Sequence, residues 1–85
     1  MAQVTIYTKP FCPYCIRAVG LLEKKAVAFD EIEAGFDPAK RQEMLARSNG
    51  GSTFPQIFIG DLHVGGCDDL LALDRAGRLD ALLAS

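Results

Sequence analysis

The pattern of apolar segments in this chain predicts an α/β fold, one small four-stranded mixed sheet in βαβαββα order with helices packed on it. Three observations carry that expectation. A β-branched run near the N-terminus gives way to apolar residues at helical spacing, and a weaker strand pattern follows. Two later apolar runs are joined by Gly60-Asp61, which can turn the chain back on itself as a hairpin. Gly65-Gly66 then opens another helical pattern. A βαβ unit followed by such a hairpin makes the first two strands parallel and the last two antiparallel.

Each element has a local cause. Val4-Thr5-Ile6-Tyr7 alternates apolar and polar residues and is rich in β-branched side chains, so it forms a short strand, with Thr8-Lys9-Pro10-Phe11 as the loop after it. From Tyr14 onward, Cys15, Ala18, Val19, Leu22 and Ala26 recur on one helical stripe, with Arg17, Glu23 and Lys24 off it. Pro13 suits the opening turn, where its missing N–H has no helical partner to lose. Ala28-Phe29-Asp30-Glu31-Ile32 is the second strand, expected mainly because a strand must separate two helices. Asp37-Pro38 is an N-cap followed by proline; Arg41, Met44, Leu45 and Ser48 then share a face until Asn49-Gly50-Gly51 stops the helix. Phe54-Pro55-Gln56-Ile57-Phe58-Ile59 is an apolar strand opened by a proline, and Leu62-His63-Val64 is its hairpin partner. Asp68 to Ala76 forms a third helix closed by Gly77, and Leu79 to Leu83 a last turn or two. Phe29, Phe36, Phe58, Leu62, Leu70, Leu71, Leu82 and Leu83 are assigned to core or surface packing.

With 85 residues there is room for one domain, spanning 1–85, and no linker, repeat or low-complexity tract divides it. A hydrophobic fraction of 49% beside 24% charged residues describes a folded protein with a small core of its own. Nine basic and eleven acidic residues leave a net charge of −2 with no run of one sign, which argues against a nucleic-acid partner. No segment reaches the roughly 18 apolar residues of a membrane span, and the N-terminus lacks the pattern of a signal peptide. A cytoplasmic protein is expected. Three cysteines is an odd number, unlike the dense even set of a secreted disulfide scaffold.

Cys12-Pro13-Tyr14-Cys15 carries the chemistry. On the first turn of a helix these thiols fall at i and i+3 on one face, roughly 5–6 Å apart at Cβ, close enough to bond after slight closure. The unpaired N–H groups of the helix start favour negative charge, so the first sulfur should ionise more readily than a free thiol, helped by Lys9. Such a pair near a βαβ pattern is a redox signature. Two alternatives stand beside it. One is a plain structural disulfide; the other is a zinc site completed by His63 and Cys67, although their distance along the chain far exceeds the usual ligand spacing.

Cys12-Pro13-Tyr14-Cys15, Thr53-Phe54-Pro55-Gln56 and Gly65-Gly66-Cys67-Asp68-Asp69 appear in the order and at the intervals found in the dithiol glutaredoxins. The chain resembles the small bacterial members of that family over essentially its whole length, including the tract from Asp68-Asp69-Leu70 to Leu73-Asp74. The resemblance implies a thioredoxin-like fold and glutathione as co-substrate, with no resident metal. It implies that Cys12 is the solvent-exposed nucleophile and Cys15 the more buried resolving thiol. Lys9 and, as a second candidate, Arg41 would take the glycine carboxylate of glutathione. Pro55 would follow a cis bond and present the backbone of Phe54, which stands where the family more often has valine, to the cysteinyl moiety, with Thr53 beside it. Gly66 and the N–H groups of Cys67 and Asp68 would cradle the γ-glutamyl carboxylate, and the Asp68 side chain would accept its ammonium.

Bland roles compete at several of these positions. Tyr14 either packs beside glutathione or is an exposed aromatic at a helix start; Lys9 and Arg41 are otherwise solvated charges; Asp68 is otherwise an N-cap. The Cys67 side chain is a small buried hydrophobe or a regulatory thiol. His63 is assigned no catalytic part. The expected activity is glutathione-dependent reduction of protein-glutathione mixed disulfides and protein disulfides by a monomer, ribonucleotide reductase being one family-level partner. A redoxin recycled by thioredoxin reductase, or an iron-sulfur cluster carrier, is the alternative.

Overall fold

The first strand, β1 (Val4–Thr8), is buried along its whole length because it has a strand on either side. The computed structural model describes residues 2–84. After β1 come α1 (Pro13–Lys24), β2 (Phe29–Glu33), α2 (Pro38–Arg47), β3 (Gln56–Ile59), β4 (Leu62–Gly65), α3 (Cys67–Arg75) and α4 (Leu79–Ala84). The sheet order is β2-β1-β3-β4. β1 runs parallel to β2, with Ile6 opposite Glu31, and antiparallel to β3, with Ile6 opposite Ile57. β4 closes the hairpin antiparallel to β3, with a register shift between Ile57 and Phe58.

Strand side chains alternate between faces, and each face buries a different cluster. Val4, Ile6, Ile57 and Ile59 pack with Ala18 and Leu22 of α1, Cys67 and Leu70 of α3, and Leu79 and Leu83 of α4. Tyr7 and Phe58 pack on the opposite face with Met44 of α2 and Ala34. Burying a side chain such as Leu22 or Leu70 stabilises the fold by about 2 kcal/mol. Polar ties hold the layers in register. Tyr7 donates its hydroxyl to Glu43 at 2.6 Å and accepts from Arg47 at 3.1 Å, joining β1 to α2. Lys25 pairs with Asp74 at 2.7 Å and Asp80 at 2.9 Å, joining the end of α1 to α3 and α4.

The expected element order holds, and the departures lie at boundaries. Thr8 belongs to β1 rather than to the loop, since Ala34 N–H bonds its carbonyl at 2.8 Å and extends the ladder. The second strand is shifted one residue to Phe29–Glu33. Ala26 is not on the α1 stripe: the helix stops at Lys24, the Lys25 N–H bonds back to Leu21, and Ala26 takes φ 57°. Asp37 caps α2 as expected, its carboxylate accepting from the N–H groups of Ala39 and Lys40 at 3.1 and 3.2 Å. Phe54 and Pro55 stand outside β3, whose pairing with β1 begins at Gln56, and the peptide bond between them is cis. Phe36, at 81% exposure, and Leu62, at 47%, are surface rather than core.

Candidate active site

Cys12 is the N-cap of α1, with extended backbone angles and Pro13 at the first helical position. Its sulfur folds back over the helix start and accepts the Cys15 N–H at 3.4 Å. Burial opposes ionisation of Cys12. It is outweighed by the hydrogen bond from the Cys15 thiol, the backbone N–H groups of Cys15 and Tyr14, and the charge of Lys9, so the Cys12 thiol lies below its ordinary value. Burial pushes Cys15 up to about 12, and its bond to Cys12 adds to that rise. The expected order of acidity therefore holds.

The expected exposure does not. Cys12 is 4% exposed and Cys15 3%, so area does not separate them. The capping geometry is the reason, for it turns the Cys12 side chain inward. Phe11 instead takes the exposed place beside the pair, 96% open at φ 59°.

Two adjoining grooves meet over Tyr14, Thr53 and Phe54. One, of about 380 Å³, continues past Pro55 to Gly65, Gly66, Cys67, Asp68 and Asp69, with Gln56 and His63 also on its wall. The other, of about 590 Å³, runs to Lys9, Gly35, Arg41 and Ser52. Seven of the nine candidate contact residues thus line the first groove, and the remaining two, Lys9 and Arg41, line the second. The groove has an acidic end and a basic end. Tyr14, two residues after Cys12 on the first turn of α1, lines both grooves and sets the cysteine turn beside them, and the charge of Lys9 acts on Cys12.

Local backbone geometry shapes the acidic end. Gly65 sits at φ 114°, and a Cβ there would collide with the Asp69 carboxylate, so only glycine fits the turn. Gly66, not Asp68, is the N-cap of α3, and Asp69 accepts the Gly66 N–H at 3.0 Å. This corrects the N-cap role for Asp68. It leaves Asp68 exposed at the second helical position, its carboxylate uncommitted to the cap. Burial raises the Cys67 thiol, consistent with a packed side chain. At the basic end, Lys9 lies 5.7 Å from the centre of the Phe54 ring.

Gln56, which the sequence gives only as part of a motif, and His63, expected to be a strand residue with no catalytic part, both stand on the wall of the first groove. The buried Gln56 amide donates to the Thr53 carbonyl at 3.0 Å and hydroxyl at 3.1 Å, and its oxygen lies 2.6 Å from His63 Nε2. A glutamine inside an apolar strand was the one available signal.

The glutaredoxin family model matches residues 4–64. The chain belongs to the glutaredoxin family. It is 59% identical over 85 residues to a glutaredoxin of Pseudomonas aeruginosa, covering the full length of both chains. It is 58% identical over 83 residues to glutaredoxin 3 of Escherichia coli, covering 98% of this chain and 99% of the relative. The crystal structure of a buckwheat glutaredoxin-glutathione complex superposes with a TM-score of 0.85 at 29% identity, over 98% of this chain and 77% of that one. This glutaredoxin has the thioredoxin-like fold of its family and is a glutathione-dependent thiol-disulfide oxidoreductase. Among the described residues no helix is long and apolar enough to cross a membrane.

Proposed function

We propose that this glutaredoxin reduces protein-glutathione mixed disulfides through Cys12 alone and protein disulfides through Cys12 and Cys15 together. The observation that carries the proposal is the Cys12 sulfur at the α1 N-cap, on the helix turn whose Tyr14 lines two adjoining grooves, one reaching Asp68 and the other Lys9 and Arg41. Glutathione has matching ends. Its γ-glutamyl ammonium pairs with Asp68 and the adjoining carboxylate with the N–H groups of Cys67 and Asp68 beside Gly66; its glycine carboxylate goes to Lys9 and Arg41. The cysteinyl part lies against Thr53, Phe54 and Pro55, with Tyr14 beside it.

In the first route the Cys12 thiolate attacks the glutathione sulfur of a mixed disulfide. A Cys12–glutathione bond forms, the protein–glutathione bond breaks, and the protein sulfur leaves with the electron pair and takes up a proton. A second glutathione thiolate then attacks the glutathione sulfur on Cys12, releasing glutathione disulfide and the Cys12 thiolate. In the second route Cys12 forms a mixed disulfide with the substrate protein. Cys15 loses its proton, attacks the Cys12 sulfur and expels the reduced product; two glutathiones later reduce the Cys12–Cys15 bond. A lowered Cys12 pKa helps twice, since more of the sulfur is ionised at neutral pH than in a free thiol and the sulfur is also a better leaving group. The chain acts as one domain and as a monomer in this scheme.

Glutathione-coupled reduction of a small mixed disulfide tests the scheme. Cys12→Ser should abolish it, and Cys15→Ser should retain it while losing reduction of a protein disulfide. Activity surviving Cys12→Ser overturns the assignment.

A further inference from the structure

One hydrogen-bonded relay on the groove wall is not used by the chemistry above. His63 is exposed on β4, with its ring stacked on Phe58 at 4.9 Å between centroids and 24° between planes. Its Nε2 lies 2.6 Å from the Gln56 oxygen. That oxygen can only accept, so the imidazole donates. The Gln56 amide nitrogen then faces Thr53, donating to both its carbonyl and its hydroxyl. Gln56 is 4% exposed, and space around its nitrogen is tight, since a Cβ on Gly51 would stand 3.1 Å from it.

From this geometry we propose that His63 is a positioning residue for the glutathione groove. It fixes which way the Gln56 amide points and so holds Thr53 at the wall shared by the two grooves. Flipping that amide would set its oxygen against the Thr53 carbonyl, two acceptors face to face, and His63 opposes the flip by supplying a donor on the other side. Water in place of the imidazole can donate or accept, so it does not select one orientation. The inference rests on the proposed glutathione site, and it assigns His63 to binding rather than to the sulfur chemistry.

Two substitutions separate the donor from the ring. His63→Phe keeps a ring for Phe58 and removes the N–H; His63→Gln keeps an N–H donor and removes the ring. In the glutathione-coupled assay, His63→Phe should raise the KM for glutathione roughly three- to tenfold, the effect of losing one hydrogen bond, with kcat within about twofold. His63→Gln should restore most of the affinity. In the ligand-free protein, the Gln56 side-chain amide proton resonances should shift in His63→Phe and stay near their wild-type positions in His63→Gln. An unchanged KM in His63→Phe overturns the proposal, and with a rise confined to His63→Gln it assigns the effect to stacking; an equal rise in both variants also overturns it, because the restored donor then does not restore the site. A wild type whose rate does not depend on glutathione removes the site reading itself. The amide resonances still report in that case whether His63 sets Gln56.

Discussion

The Cys15 backbone N–H points at the Cys12 sulfur from 3.4 Å, so the proposed resolving residue supplies a hydrogen bond to the proposed nucleophile. One helix turn lowers one thiol by hydrogen bonds from the Cys15 thiol and from backbone N–H groups, and raises the other by burial. At neutral pH an alkylating reagent such as iodoacetamide should modify Cys12 in the folded protein and leave Cys15 and Cys67 untouched. Mass spectrometry of peptides after timed alkylation checks this; early labelling of Cys15 would contradict it.

The same shifts set the response of stability to pH. Cys15 and Cys67 have raised values in the folded state, so their contribution is full below about pH 8.5, where the unfolded thiols are protonated, and is lost as pH rises toward the folded values. Cys12 has the opposite sign. Its contribution is present above about pH 8.5 and is lost as pH falls through its lowered value. The urea midpoint should therefore fall from pH 8 to pH 10, and Cys15→Ser should flatten that fall.

The two ends of the groove can be tested separately with truncated ligands. Asp68→Asn should weaken inhibition or turnover by glutathione and by γ-glutamylcysteine, while leaving cysteinylglycine, which lacks the γ-glutamyl group, little changed. Lys9→Gln should do the reverse for γ-glutamylcysteine, which lacks the glycine carboxylate. A loss of one exposed charge-assisted contact predicts roughly a three- to tenfold change in KM.

Gly65→Ala should be among the most damaging single changes in the groove. It places a side chain at φ 114° and against the Asp69 carboxylate that holds the start of α3. A destabilisation of about 2–4 kcal/mol is expected by urea denaturation, with a rise in the KM for glutathione. Gly50→Ala, also at positive φ but with open space around it, should cost about 1 kcal/mol and leave the KM alone.

Tyr7→Phe removes the hydroxyl that Glu43 and Arg47 share while keeping the ring packed edge-on to Phe58 at 5.8 Å. Both partners are exposed enough to turn to water. The expected loss is about 1 kcal/mol, read as a lower urea midpoint with glutathione kinetics unchanged.

The sequence alone determined the order of the elements, the hairpin, the helix starts at Pro13 and at the Asp37 cap, and the family, because these depend on periodicity, on local backbone chemistry and on motif spacing. It also ranked the two thiols, since a helix start favours charge on the residue nearest to it. Tertiary structure decided what depends on contacts between distant segments. Cys12 is buried because its sulfur turns inward to cap α1. Asp68 is left free because Gly66 and Asp69 make the cap of α3. Lys9 and Arg41 line one groove and Asp68 the adjoining one, with Thr53 on both, only because the loop after β1, the α2 start, the turn before β3 and the α3 start converge. The link from His63 through Gln56 to Thr53 was invisible for the same reason: it crosses a strand pair whose register shifts beside it, and no local pattern records such a pairing.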